Sequence, residues 1–242
     1  MAKSCLIVEL GLIGYREAYA LQKRVVAARK AGAIEEVLLL CEHPPVITQG
    51  RNGKHEHLLV SENVLRQRNV EFYETSRGGD ITYHGPGQLV GYPILQLGEI
   101  QKDVVWYVRV LEEAMIRTTA EFGIGAYRIA GKTGIWVSTA NAPEEKLGAI
   151  GVHISRWVTS HGFAYNVSTD LRNFDLIVPC GIVGRKATSL EKLLDRPVSV
   201  NDVAPRMARN LGEVLGLQMV RGSRRELFEK LGLAEQQVAV PA

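Results

Sequence analysis

The stretch RGGDITYHGPGQLVGYPI, Arg77 to Ile94, interleaves glycines with Arg77, Asp80, Thr82, Tyr83, His84 and Gln88. Such a run is poor core material. Glycine lets a backbone pass close to a ligand, while Arg77 and His84 bring donors to the same spot. A Gly-rich hairpin turn with a solvated arginine is the plainer alternative. A second candidate is Cys180 in DLIVPCGIVG, which follows an apolar run and Pro179 and precedes Gly181. Its thiol would sit where a strand ends, beside backbone N–H groups able to hold a developing oxyanion. A lone cysteine after an apolar run is more often inert packing, so it needs a partner. Lys146, at the start of KLGAIG, is one candidate, because an ammonium beside a thiol favours the thiolate. The alternative is a surface lysine next to Glu144 and Glu145. His153 shares a strand face with Gly151 and Ala149, as a second candidate or a satisfied half-buried histidine. In SHGFAYNVSTDL, Gly162, Phe163 and Ala164 form a small-large-small row in which Phe163 could wall an apolar pocket. Asn166 and Asp170 could equally bond local backbone.

Other motifs fail on spacing. Gly131-Lys132-Thr133 resembles a phosphate loop, but Ala126 stands where the upstream glycine is required, so it reads as a turn into the strand Ile135-Trp136-Val137. Cys41-x-His43 and His55-x-His57 are too tight for structural zinc and lack a second pair, so no metal is expected. The basic residues are dispersed without an aromatic platform, which argues against nucleic acid. A net charge of +3, 46% apolar residues and only three cysteines exclude a disordered chain, a disulfide scaffold and a dedicated polyanion binder. No apolar run is long enough for a membrane span, and the N-terminal apolar patch is broken by Glu9, so the expectation is a cytoplasmic protein with free thiols.

Elements must bring these residues together. Strands are expected at Ser4 to Glu9 and Glu35 to Glu42, with a helix at Tyr15 to Ala31 whose Tyr15, Ala18, Leu21, Val25 and Ala28 form one stripe. The loop Gln49 to Leu58 reads as polar and mobile. Two or three strands lie between Val70 and Leu97, with Leu89, Gly91, Pro93 and Leu95 on one face and Val90, Tyr92 and Ile94 on the other. Asp103 to Glu121 is a helix capped by Asp103, with Val104, Val108, Leu111, Met115 and Ile116 inward. Strands follow at 126–129, 134–138, 146–156 and 161–168, with a tight turn at Ala140 to Pro143. Helices are expected near Leu190 to Leu194, Asn201 to Leu215 and Arg224 to Leu231, with a frayed tail from Gln236. The fold class is α+β, with a mixed, largely antiparallel sheet flanked by helices. The whole chain reads as one catalytic domain, the helices of about 198–235 being peripheral.

Taken together, Arg77-Gly78-Gly79, Thr82, Tyr83, His84, Gly87, Gln88 and Tyr92, followed in order by KLGAIGV, HGFAYNV and PCG, resemble the lipoyl(octanoyl) transferase family. The resemblance covers about residues 5 to 195. It implies a fold similar to the catalytic domain of biotin and lipoate protein ligases. It further implies transfer of an octanoyl group from octanoyl-acyl carrier protein to a lysine of lipoyl domains, with Cys180 as the acyl-accepting nucleophile and Lys146 as its partner. The implied cleft is lined by Arg77, Gly78, Gly79, Asp80, Ile81, Thr82, Tyr83 and His84, by Ala149, Ile150 and Gly151, and by Gly162, Phe163 and Ala164. No cofactor is implied.

The chemistry of the residues agrees with that implication. A thioester already carries its activation, so passing the acyl group to a second thioester is nearly isoenergetic and needs no ATP, only a thiolate. A reference cysteine near ~8.5 is a few per cent thiolate at pH 7, and an adjacent ammonium lowering it by roughly 1.5 units brings this to about half. Seven buried carbons at roughly 0.8 kcal/mol each give on the order of 5 kcal/mol for a narrow slot left by Gly78, Gly79, Gly148, Gly151 and Gly162. The rival readings are an ATP-dependent lipoate or biotin ligase and a non-catalytic acyl-binding or protein-binding module.

Overall fold

The computed structural model describes residues 3–138, 143–179 and 185–233. The turn expected at Ala140 to Pro143 (apart from Pro143), Cys180 and the tail from Gln236 lie outside the described residues.

The main sheet grows from a parallel core. Strand β1 (Ser4–Leu12) crosses through helix α1 (Tyr15–Lys30) to β2 (Glu36–Glu42), and the two strands pair in parallel. Chain order continues with β3 (Val46–Gln49), α2 (Glu62–Gln67), β4 (Glu71–Glu74), β5 (Ile81–His84) and β6 (Gln88–Ile94). After α3 (Val104–Ala120) come β7 (Tyr127–Ile129), β8 (Lys132–Val137), β9 (Glu145–Ser155) and β10 (Val158–Asn166). The last elements are α4 (Leu190–Leu194), α5 (Val200–Leu215), β11 (Gln218–Gly222) and α6 (Arg224–Lys230). The large sheet has the order β11-β1-β2-β6-β10-β9-β8-β7, and every pairing from β2 onward in that order is antiparallel. The expected α+β class with a largely antiparallel sheet is therefore observed.

Both faces of this sheet are covered, which explains the apolar runs of β2 and β6. On one face Leu38, Leu40, Leu89, Phe163 and Tyr165 meet α3 and α5. On the other, Val37, Leu39, Val90, Tyr92 and Ile94 meet α1 and α6. The alternation read for β6 holds residue by residue. Helix α5 supplies Val203, Met207, Ala208 and Leu211 to the first core, so this C-terminal helix is a wall of the core and not a peripheral addition. Helix α3 turns differently from the expected stripe. Tyr107, Leu111, Met115 and Thr118 are buried, while Val104 is exposed and Glu112 is drawn inside by Arg109, Arg128 and the Gly134 N–H. The Asp103 cap is present, its side chain accepting from Trp106 N at 3.0 Å.

Six elements escape the sequence pattern: β3, α2, β11 and the short 3₁₀ segments His55–His57, Leu97–Glu99 and Leu171–Leu176. Two of the strands expected in 70–97, β4 and β5, do not join the large sheet. They flank β3 in a separate sheet of order β4-β3-β5 around Ile47, Leu65, Ile81 and Tyr83. The stretch Gln49 to Leu58 is stitched to the Arg77 turn by Gly50 N to Asp80 O (3.0 Å), Arg51 N to Arg77 O (3.0 Å) and Asn52 N to Gly79 O (3.1 Å). No helix among the described residues is long and apolar enough to cross a membrane.

At the end of α1, Arg29 grips buried Glu36 through Nε and Nη2, both at 2.9 Å, and Glu36 also accepts from Gln96 N at 3.0 Å. Removing only the cation strands a carboxylate that is 2% exposed. Arg29→Met is expected to cost about 3 kcal/mol or more in urea unfolding at pH 7, and Arg29→Met with Glu36→Met to recover most of it. A single-variant loss below about 0.5 kcal/mol, the range of an exposed pair, would contradict this.

Candidate functional site

Small residues on the α1 side of β10 and β9 leave a depression in the sheet. Ala149 is register partner of Ala164, and Gly151 of Gly162, while Ala164 pairs with Val90 on the next strand. The three-stranded sheet and the Arg77 turn form the opposite wall. Between them lies a cleft of about 440 Å³, within the range of small-molecule sites. It is lined by Arg77, Gly79, Asp80, Thr82, His84, Lys146, Ala149, Ile150, Gly151, Gly162, Phe163 and Ala164, all expected from the sequence.

Three expected lining residues turn elsewhere. Ile81 and Tyr83 alternate with Thr82 and His84 on β5 and point into the small sheet's own core, where Tyr83 meets Phe174 edge-on. Gly78 ties the turn to β9 through its N–H to Val152 O at 2.9 Å and does not line the cleft. Phe163 sits in the core under α3 and α5, its ring filling the space a Cβ at Gly91 would need, so it walls no apolar pocket with its side chain.

The glycines serve close packing more than a slot. A Cβ at Gly151 would lie 3.0 Å from Arg77 Cδ and Gly78 O, so its absence lets the Arg77 turn settle on β9. One at Gly162 would strike Gly91 O at 2.2 Å, so that glycine serves the β10–β6 contact.

Residues the sequence reading did not assign to the site complete it: Tyr15, Val90, Tyr92, Gly131, Lys132, Thr133 and His161. Gly131-Lys132-Thr133 is a turn into β8, as expected, but it reaches the rim of the cleft. The signal available for Tyr92 and His161 was their place in the ordered motifs. His153 is half-buried with a partnerless Nδ1 and does not line the cleft.

A directed chain of hydrogen bonds runs beneath the site. Arg77 donates to Thr48 Oγ1 from Nε (3.3 Å) and Nη2 (2.9 Å), and to Thr48 O from Nη2 (2.5 Å). The Thr48 hydroxyl is left to donate to His84 Nε2 at 3.4 Å. His84 Nδ1–H donates to Gln88 Oε1 at 2.7 Å, Gln88 Nε2 donates to Asn166 Oδ1 at 2.8 Å, and Asn166 Nδ2 donates to Thr188 O at 2.9 Å. This pattern specifies neutral His84. Burial, with His43 next, lowers its pKa to about 3. His161 is lowered to about 3 by burial and by Arg77, and His43, between Ile13 O and the Tyr92 hydroxyl, to about 4 by burial. Burial lifts Tyr15 to about 12.

Lys146 occupies a strand position with backbone partners on both edges. Across β8 its register partner is Trp136, whose ring centroid lies 4.9 Å from Lys146 Nζ. On the other edge, Lys146 N donates to Lys186 O at 2.9 Å and Thr188 N to Lys146 O at 3.0 Å. Pro179, just before Cys180, and Arg185, Lys186 and Ala187, where the described chain resumes after it, line one recess together with Lys146, Trp136, Thr82 and Asn166. Upstream, Val178 N bonds His57 O at 2.8 Å, and His57 in turn binds Asp80 through Nδ1 at 2.5 Å. The other two cysteines, Cys5 and Cys41, are buried, and burial raises both thiols far above the ordinary range.

Residues 14–212 match the family described as lipoyl protein ligase A/B catalytic domain. A protein of Acidobacterium capsulatum named octanoyltransferase is 52% identical over 88% of this chain and 91% of its own. Another octanoyltransferase, from Caldicellulosiruptor saccharolyticus, is 46% identical over 91% of this chain and 92% of its own. Among solved structures, the bi-partite lipoate protein ligase of Thermoplasma acidophilum superposes with a TM-score of 0.74 at 17% identity, over 100% of this chain and 98% of that one. The biotin protein ligase of Aquifex aeolicus gives 0.52 at 14% identity over 87% of this chain and 69% of that one. At such identities the likeness is one of fold, and it matches the fold expected from the motifs.

The depressed histidines have a measurable consequence. Unfolded histidine takes up a proton near pH 6.5, whereas His43, His84 and His161 stay neutral in the fold until about pH 4 or 3. Between those limits the unfolded state binds more protons, so stability falls as pH falls, by up to about 1.4 kcal/mol per unit for each histidine. Nitrogen-detected NMR of the histidine side chains is expected to show these three rings neutral at pH 5. Titration of any of them near 6.5 would refute the assignment.

Proposed function

Since the chain belongs to the lipoyl protein ligase A/B catalytic domain family, we propose that it works as an octanoyltransferase of protein lipoylation by a two-step acyl relay. In the first step the Cys180 thiolate attacks the thioester carbonyl of octanoyl-acyl carrier protein. The carbonyl becomes a tetrahedral oxyanion, the carrier thiolate leaves and takes a proton from the Lys146 ammonium, and a thioester forms on Cys180 beside a now neutral Lys146 amine. In the second, the ε-amine of a lipoyl-domain lysine attacks that thioester. The new C–N bond expels the Cys180 thiolate, and the proton lost from nitrogen passes to Lys146. The first exchange is close to neutral in energy and amide formation is downhill, so no nucleotide is consumed.

The observation that carries this reading is the attachment of Lys146, on its own backbone, to residues 186 and 188, just past Cys180 in sequence. An ammonium held at that edge is suited to favour a thiolate borne by the adjoining segment. Cys5 and Cys41 are poor alternatives, since burial holds both as thiols. In the cleft, Ala149, Gly151, Gly162 and Ala164 provide the floor for the acyl chain, and Thr82, His84 and Arg77 the opposite wall. Neutral histidines suit that use, because an imidazolium there would have to be desolvated on acyl binding.

The decisive measurement is intact mass after mixing with octanoyl-acyl carrier protein without ATP. One octanoyl adduct is expected on the wild type and none on Cys180→Ala, whose transfer to a lipoyl domain falls by at least 10³-fold. Lys146→Met is expected to raise the pH midpoint of Cys180 alkylation by about one unit or more. Near-wild-type transfer by Cys180→Ala would sink the relay, and strict ATP dependence would favour a ligase.

A further inference from the structure

We infer that Trp136 is the positioning residue for Lys146, holding its ammonium through the face of the indole. The inference rests on the reading that Lys146 serves Cys180. Trp136 and Lys146 are register partners on β8 and β9, and Nζ stands 4.9 Å from the ring centroid, inside the range of a cation–π contact. The ring is itself fixed. Trp136 is 1% exposed, and its Nε1–H donates to Lys132 O at 3.2 Å, tying the indole to the turn that opens β8. That turn is anchored in its own right, Gly134 N donating to buried Glu112 at 3.0 Å. A rigid ring under a flexible four-carbon side chain limits where the ammonium goes, since lysine alone is a mobile point charge.

The charged groups around the pair are placed consistently. Lys132 Nζ approaches the same ring at 5.8 Å, so the indole meets two cations, both of which reach the cleft. Glu144 and Glu145, the carboxylates just before Lys146, bind Arg185 and Lys192. Arg185 and Lys186 line the recess beside Trp136 from the segment after Cys180. An aromatic face attracts an ammonium without the proton acceptor that a carboxylate would present. It therefore holds the charge while leaving the proton exchangeable in the second step.

The test replaces tryptophan by fluorinated tryptophans in a Trp106→Phe, Trp157→Phe background, weakening the ring's negative face stepwise with little change in size. The readouts are the pH midpoint of Cys180 alkylation and the split between kcat and KM for octanoyl-acyl carrier protein. The midpoint is expected to rise with each fluorine and kcat to fall, about fivefold to tenfold at full fluorination, with KM nearly constant. Trp136→Leu, which keeps apolar bulk and loses the π face, is expected to lie beyond the series, and Trp136→Phe within it. A midpoint and kcat that ignore fluorination while Lys146→Met still shifts the midpoint would overturn the role of Trp136 alone. Indifference to both fluorination and Lys146→Met would overturn this inference together with the Lys146–Cys180 pairing.

Discussion

The cleft depends on one directional chain of hydrogen bonds. It starts at the buried guanidinium of Arg77 and passes through Thr48, His84, Gln88 and Asn166 to the carbonyl of Thr188. The N–H of Thr188 then bonds Lys146 O. Each link has its donor on the Arg77 side. The chain crosses from the three-stranded sheet to β6 and β10 and on to the segment after Cys180, so it couples four separate pieces of sequence. Buried polar groups are costly unless each is satisfied, and this arrangement has few ways to be satisfied other than the one observed. Neutral His84 follows from it, since a second N–H at Nε2 would face a hydroxyl already accepting from Arg77.

Close backbone approach is the complementary constraint. The Arg77 turn rests on β9 because residue 151 has no Cβ, and Gly78 is bonded to Val152 there. The Gly50 to Asn52 backbone closes over the same turn from the other side. The result is a wall of main chain and the polar side chains of Arg77, Thr82 and His84 facing a floor of alanine and glycine. The apolar character of the cleft thus comes from what is missing on β9 and β10, while large side chains such as Phe163 turn to the opposite face.

Lys146 illustrates how the sheet edge and the site are one structure. Strand β9 leaves β10 at its N-terminal end, where residues 186 to 188 take the neighbouring place. The lysine is thereby fixed in main chain by two neighbours and in side chain by an indole across β8. Burial, which makes Cys5 and Cys41 inert, also makes the histidines of the cleft neutral, so one physical effect quiets the thiols and uncharges the imidazoles.

Much of this protein is written locally. The alternation of β6, the stripe of α1, the Asp103 cap and the ordered motifs around Arg77, Lys146 and His161 follow from side-chain period and residue type alone, because each depends on neighbours within a few residues. The motifs also pointed to the family and to most of the cleft lining. Tertiary structure decided the rest. Short β3 has no period long enough to read, and only its pairing with β4 and β5 makes it a strand. The face of α3 turned inward because Glu112 is satisfied by Arg109, Arg128 and Gly134, partners that spacing cannot reveal. Ile81 and Tyr83 fell out of the cleft because a second sheet claimed one face of β5, and Trp136 came to lie beside Lys146 because β8 pairs with β9 in that register. Contacts between distant segments depend on where the whole chain can close a core and satisfy its buried polar groups, which no local pattern contains.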